Sequence, residues 1–141
     1  MKASIIYNSK HGTTKAYAEE IARFLKDNGI DTKLGSIGDY DRDYLKSADL
    51  VFLGCWTSGL FLFAQHPERL WSNFAKELPG IKDKKICLFT TYKLATGSMF
   101  RKMEMHLKEN AEGTSLYLKA KSGALTKDNR EDLKLFVGKK E

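Results

Sequence analysis

The sequence has little cysteine, proline and histidine, and it lacks any long hydrophobic run. No apolar stretch approaches the roughly 18 residues that a membrane-spanning helix needs. A single lysine at position 2 precedes the first apolar run, which is not the pattern of a secretory signal peptide. These absences predict a cytoplasmic protein that does not contact a membrane.

The two cysteines, Cys55 and Cys87, lie in or beside apolar runs. That placement predicts reduced, buried thiols, which are usual in a cytoplasmic protein. Two isolated cysteines and three scattered histidines do not make the ligand set of a zinc site. We therefore expect no bound metal.

Acidic residues are in the minority, because 24 Lys and Arg against 18 Asp and Glu give a formal net charge of +6. The lysines are spread along the whole chain. An acidic protein partner or an anionic small molecule therefore explains the excess as well as nucleic acid does. We expect a protein partner with an acidic surface and no nucleic acid.

Three stretches, 3–7, 50–54 and 86–89, are short continuous apolar runs, which are typical of strands buried on both faces of a sheet. The stretches 32–37 and 115–120 mix apolar and polar residues, as edge strands do. Between the strands, apolar residues recur at helical spacing, for example Ala18, Ile21, Ala22 and Leu25. The chain therefore alternates between strand and helix.

Five strand–helix units in a row predict an α/β fold: a doubly wound, five-stranded parallel sheet with helices on both faces. Placing the three apolar strands in the centre gives the order 2-1-3-4-5, with the winding reversed between strands 1 and 3. Since 141 residues show no linker or repeat, we expect a single domain over 1–141. Ligands of such sheets bind at the carboxyl ends of the strands near the reversal, where we predict loops at 9–14, 55–65 and 90–97.

The first of these loops has the features of an anion site. Gly12 lets the backbone approach a ligand closely, the following helix N-terminus favours negative charge, and Ser9, Thr13 and Thr14 add hydroxyls. A simpler alternative is that Thr13 or Thr14 only caps the helix. The P-loop pattern and the pattern G-x-G-x-x-G are absent from this segment, which argues against a nucleoside triphosphate or a dinucleotide.

The segment IIYNSKHGTTKAYAEEI resembles the N-terminal signature of the flavodoxin family. Two later segments, FLGC followed by Gly59 and CLFTTY followed by Gly97, lie where flavodoxins carry their two flavin-binding loops. The resemblance spans essentially the whole chain. It implies a short-chain, flavodoxin-like fold that binds FMN, with the phosphate in the first loop and the isoalloxazine ring between the other two. It also implies one-electron transfer between redox partners, with no catalytic side chain.

The residues that the resemblance assigns to FMN form three groups: Ser9, Lys10, His11, Gly12, Thr13 and Thr14; Trp56, Thr57, Ser58 and Gly59; and Thr90, Thr91, Tyr92, Lys93 and Gly97. Some positions depart from the family pattern. Ser58 stands where an apolar or aromatic residue usually covers the inner flavin face, so Trp56 is the candidate replacement. Leu94 stands where an aromatic residue commonly covers the outer face, so Tyr92 is the nearest ring. His11 replaces a residue that is usually threonine.

Two other functions fit the same residues. One is a flavin-dependent reductase of a quinone or another small acceptor, and the other is a flavodoxin-like interaction module that has lost its flavin. The apolar segment LFLFAQH (60–66) also has several interpretations: a docking surface, a fold-back over the flavin, or part of the next helix.

The two flavin-binding segments lack negative charge. Flavodoxins usually carry carboxylates there, but no Asp or Glu occurs from Leu50 to Pro67 or from Lys84 to Met103. Lys93 lies in the third loop instead. Since a positive charge favours an anionic reduced flavin, the sequence predicts a less negative reduction potential. Since a positive surface attracts a negative one, the sequence also predicts a redox partner with an acidic docking surface.

Overall fold

A computed structural model describes residues 1–60, 63–67, 69–93, 95–107, 110–111 and 113–138, with the backbone alone at 58–60 and 63–66. Strands and helices alternate as the hydrophobic pattern predicts, except that two strands follow each other before the third helix. The elements are β1 (Lys2–Asn8), α1 (Thr13–Asp27), β2 (Asp31–Ser36), α2 (Arg42–Ser47), β3 (Leu50–Leu60), β4 (Phe63–Pro67), α3 (Arg69–Glu77), β5 (Lys85–Thr91), α4 (Met99–Leu107), β6 (Leu116–Ala120) and α5 (Lys127–Phe136).

Five of the strands are parallel and lie in the order β2-β1-β3-β5-β6. When the parallel strands alone are counted, this is the predicted order 2-1-3-4-5, which is confirmed. The register places Asn8 of β1 beside Cys55 of β3, and Cys55 beside Thr90 of β5. The carboxyl ends of the three central strands therefore lie next to one another.

Both faces of the central strands are buried, because successive side chains of a strand point to opposite faces. On one face the strands pack against α1 and α5, in a cluster that includes Ile5, Phe52, Tyr17, Ile21 and Phe136. On the other face they pack against α3 and α4, in a cluster that includes Ile6, Leu53, Trp71, Phe74 and Met103. The prediction of helices on both faces is confirmed.

The sequence pattern does not predict β4, which pairs antiparallel with the end of β3. Thr57 lies opposite Pro67 in this pair. The predicted loop over 55–65 is therefore wrong for the described residues, since β3 continues to Leu60, beyond its last pairing with β5 at Trp56. Of the segment 60–66, the described residues do not begin the next helix, because 63–66 belong to β4 and α3 starts at Arg69. Residues 61, 62 and 68 lie outside the described residues.

The two cysteines have the buried environment that their apolar neighbours in the sequence predict. Cys55 and Cys87 are both buried, as predicted. Burial raises the pKa of the Cys87 thiol well above its usual value, so this group stays protonated. Among the described helices, none combines the length and the apolar character that crossing a membrane requires.

Candidate functional site

The candidate site lies where β1, β3 and β5 end. β1 leads into Ser9 and the first turn of α1, β3 carries Trp56 and Thr57 where its pairing with β5 ends, and β5 leads into Tyr92. Parallel neighbours end on the same side of a sheet, so the fold brings together the three segments that the sequence singles out. These segments also contain all the residues that the resemblance assigns to FMN.

The turn between β1 and α1 is organised by Ser9. Its Oγ accepts hydrogen bonds from the backbone N–H groups of Gly12, at 3.1 Å, and Lys15, at 3.2 Å. Gly12 precedes the helix as its N-cap, with a left-handed φ of 93°, and makes no side-chain cap hydrogen bond of its own. The alternative that Thr13 or Thr14 caps α1 is therefore wrong. A hydroxyl four residues before Thr13 holds the turn instead.

The start of α1 has room and donors for an anion. Within the described part of the chain, and apart from Gly12 and its two neighbours in the sequence, no atom lies within 4 Å of the point where a Cβ on Gly12 would be. The backbone N–H groups of Thr13 and Thr14 have no acceptor among the described residues. Such unpaired N–H groups, together with the helix dipole, favour a bound phosphate. Lys10 and His11, both exposed, lie in the same turn.

Thr14 differs from the other predicted anion contacts, because its side chain is buried. Its Oγ1 lies 2.6 Å from Oγ1 of Thr91, at the end of β5. Only 1% of Thr14 and 5% of Thr91 is exposed. The two hydroxyls therefore satisfy each other and connect the start of α1 to the sheet. Sequence spacing gives no signal for this pair, since 77 residues separate its members.

The end of β3 carries Trp56 and Thr57, which are both half-buried. Oγ1 of Thr57 lies 2.8 Å from Oγ1 of Thr90, which is itself 2.6 Å from the carbonyl oxygen of Cys55. Ser58 and Gly59 follow on the same strand, where the backbone of Ser58 pairs with that of His66. The predicted flavin contacts Trp56–Gly59 thus lie on a strand and not on a free loop.

Lys10 and Trp56 connect the first two segments. The ammonium nitrogen of Lys10 lies 4.9 Å from the centre of the Trp56 ring, within the range of a cation–π contact. The sequence suggests both residues as cofactor contacts but gives no signal that they meet. The contact holds a positive charge and an aromatic ring beside the start of α1.

The third segment follows β5 and has a similar arrangement. Tyr92 is half-buried, and its N–H donates to the carbonyl oxygen of Ala120 at 3.2 Å. Nζ of Lys121 lies 6.0 Å from the centre of the Tyr92 ring. Lys93 is exposed, and Gly97 has a positive φ of 51°. Sequence analysis misses Lys121, although its place directly after the last strand was the available signal.

The site is electropositive. Lys10, Lys93 and Lys121 lie in or beside its three segments, and the stretches 50–67 and 84–103 contain no carboxylate. Tyr17, buried behind the site, donates to Oδ1 of Asn129 at 2.7 Å. Burial, and secondarily Cys87 and Tyr92, raise its pKa far above the usual value, so it remains protonated. Over the described residues, no group of three His, Cys, Asp or Glu side chains could hold a metal ion.

Comparisons with known proteins point to one family. The family model described as Flavodoxin matches residues 5–133. The chain is similar to a flavodoxin of Clostridium beijerinckii, with 31% identity over 101 residues that cover 71% of each protein. Its structure is similar to that of oxidised flavodoxin 1 of Bacillus cereus, with a TM-score of 0.72, 19% identity and 100% of both chains covered. It is also similar to a mutant flavodoxin of Fusobacterium nucleatum bound to flavin mononucleotide, with a TM-score of 0.64, 14% identity and coverage of 98% and 94%.

Proposed function

Because this chain belongs to the flavodoxin family, and so binds FMN and transfers electrons, we propose that its FMN lies across the carboxyl ends of β1, β3 and β5. The FMN phosphate lies over Gly12, against the N–H groups of Thr13 and Thr14. The isoalloxazine ring lies between the segments that carry Trp56 and Tyr92. The unpaired N–H groups beside the open space at Gly12 are the observation that carries this proposal.

The residues present fit such a cofactor. A phosphate needs N–H donors and positive potential, and the start of α1 supplies both. A flat ring system needs aromatic or apolar surfaces, and Trp56 and Tyr92 are half-buried on the two neighbouring segments. When bound, FMN accepts and releases electrons one at a time. The protein contributes binding, orientation and the local charge.

The purified protein tests the proposal. We expect a yellow sample whose flavin is released on denaturation and migrates as FMN. Reduction should proceed stepwise, and oxidation of NAD(P)H by a quinone should be negligible unless a separate reductase is added. Steady turnover without a reductase would support the flavin-dependent reductase instead. A colourless protein that takes up no added FMN would support the flavin-free interaction module.

Lys10 should strengthen FMN binding through charge and through its contact with Trp56. We expect Lys10→Met to raise the FMN dissociation constant by about three- to tenfold at low ionic strength. The difference from wild type should shrink as salt screens the lost charge. Lys26→Met, at the far end of α1, is the matched control because it removes the same charge from an exposed position. Equal effects of the two substitutions would show that only net charge matters.

Lys93 should raise the potential of the second one-electron reduction, which leaves FMN negatively charged. A unit charge about 10 Å away, at an effective dielectric constant of about 40, contributes roughly 0.8 kcal/mol, or about 35 mV. Lys93→Glu changes the charge by two units, so we expect the potential to fall by about 70 mV at low salt. Lys26→Glu should shift it far less. An unchanged potential in Lys93→Glu would remove this residue from the electrostatic account.

We further propose that the redox partner presents an acidic surface. Lys10, Lys93 and Lys121 lie in or beside the segments of the proposed cofactor site, and the two flavin-binding segments contain no carboxylate, which supports this polarity. Raising the ionic strength should therefore slow electron transfer to the partner.

We also propose that residues 1–141 form a single domain that works in the cytoplasm. The family match over 5–133 supports the first point, and the placement of both cysteines in the apolar interior supports the second.

A further inference from the structure

We propose that Thr90 and Thr91 are positioning residues that fix two halves of the site relative to each other. The phosphate half is the start of α1, with Thr13 and Thr14, and the flavin half is the part of β3 with Trp56 and Thr57. This inference rests on the proposed function and refines it. The resemblance places both threonines among the cofactor contacts, whereas the structure directs both hydroxyls into the protein. Each threonine acts through a second residue that belongs to one half of the site.

Thr91 braces the phosphate half. Its hydroxyl lies 2.6 Å from that of Thr14, the second residue of α1, and both residues are almost fully buried. The N–H groups of Thr13 and Thr14 are the donors offered to the phosphate. The Thr14–Thr91 bond therefore fixes these donors to the end of β5. Without it, among the described residues, the first turn of α1 would be held only by the Ser9 hydroxyl, directly after β1, and by apolar packing, with no hydrogen bond to β5.

Thr90 braces the flavin half. It is fully buried, and its hydroxyl lies 2.8 Å from that of Thr57 and 2.6 Å from the carbonyl oxygen of Cys55. Thr57 directly follows Trp56, the aromatic candidate for the flavin ring. The Thr90 hydroxyl therefore fixes the part of β3 that continues past its last pairing with β5.

Thr90 and Thr91 are consecutive residues of β5. Successive side chains of a strand point to opposite faces, so Thr90 reaches β3 while Thr91 reaches α1. One peptide unit of β5 therefore separates the anchor of the flavin half from that of the phosphate half. This geometry predicts that the Thr91 hydroxyl affects binding of the phosphate, whereas the Thr90 hydroxyl affects binding of the flavin ring. Riboflavin, which lacks the phosphate, distinguishes the two parts.

The test measures dissociation constants of FMN and riboflavin for apoprotein variants at fixed salt. Valine keeps the shape of threonine and removes the hydroxyl. We expect Thr91→Val to weaken FMN binding about tenfold and riboflavin binding less than twofold, because one buried hydrogen bond is lost from the phosphate half alone. We expect Thr90→Val to weaken both ligands about equally. Thr91→Ser and Thr90→Ser, which keep the hydroxyls, should restore most of the affinity.

A purely structural role would give a different result. Thr91→Val removes one buried hydrogen bond and Thr90→Val removes two, so thermal unfolding of the apoprotein should shift to lower temperature in both variants and further in Thr90→Val. Only positioning predicts that the ratio of FMN to riboflavin affinity changes in Thr91→Val and stays constant in Thr90→Val. If Thr91→Val does not fold, Thr14→Val removes the same bond from its other partner and should show the same change of ratio.

Two failures are distinguishable. Equal losses for FMN and riboflavin in Thr91→Val, or in Thr14→Val, would overturn the positioning role while leaving the FMN site in place. A wild-type protein that binds FMN no more tightly than riboflavin would instead overturn the proposed phosphate site itself.

Discussion

Replacing Gly12 by valine should abolish tight FMN binding while affecting riboflavin much less. The new side chain would fill the open space beside the N–H groups of Thr13 and Thr14. Hydrogen bonds to a charged group contribute roughly 1.5–3 kcal/mol each, so losing two raises the dissociation constant by at least about a hundredfold. Titrating the apoprotein with each flavin and following fluorescence quenching measures the effect.

Gly138 provides a matched control for the Gly12 substitution. It also has a positive φ, 67°, and no non-neighbouring atom of the described residues within 4 Å of its Cβ position, but it follows α5. A side chain in this left-handed conformation costs roughly 1–2 kcal/mol of stability, so both valine variants should unfold somewhat earlier. Only the Gly12 variant should lose FMN. A Gly12→Val protein that binds FMN as tightly as wild type would place the phosphate elsewhere.

Replacing Gly54 by alanine should cause the largest loss of stability. Gly54 and Phe89 are direct neighbours across β3 and β5, and a Cβ on Gly54 would lie 2.0 Å from Cε2 of Phe89. The Phe89 ring has little freedom to move, because it packs edge-on against Tyr17 with ring centres 6.0 Å apart. Overpacking of this kind costs about 3 kcal/mol, which lowers the melting temperature by roughly 10 °C.

A second substitution tests the cause. Phe89→Leu removes the ring atoms that would clash, so the double variant Gly54→Ala/Phe89→Leu should be more stable than Gly54→Ala alone. Gly80→Ala is the control, since Gly80 has open space around its Cβ position and no positive φ. The melting temperatures of wild type, Gly54→Ala, the double variant and Gly80→Ala give the comparison. If Gly54→Ala unfolds at the wild-type temperature, the close contact with Phe89 is not a constraint.

The architecture is predictable because one property determines it. Strands buried on both faces need continuous apolar runs, and strands at the edges do not, so the runs at 3–7, 50–54 and 86–89 give both the sheet and its order. The β3–β4 pair is harder to predict. The segment 56–65 contains polar residues and Gly59, a composition that is typical of a loop. Whether the end of β3 continues as a strand depends on its pairing with β4, which follows it in the same stretch of sequence.

The candidate site is predictable in outline only. The position of Gly12 before a helix, and the order of the strands, are enough to predict an anion site at the end of β1. The contacts within the site are not encoded in local spacing. The pairs Thr14–Thr91 and Lys10–Trp56 join residues that are distant in sequence, so they become visible only when the strands lie side by side.

Backbone amide shifts on FMN titration test the central claim most directly. In ¹H–¹⁵N spectra of the apoprotein, the amides of Thr13 and Thr14 should shift strongly with FMN and very little with riboflavin. The indole N–H of Trp56 and the amide of Tyr92 should shift with both ligands. If FMN binds without moving the Thr13 and Thr14 amides, the phosphate does not lie at the start of α1 and the proposed placement of FMN is wrong.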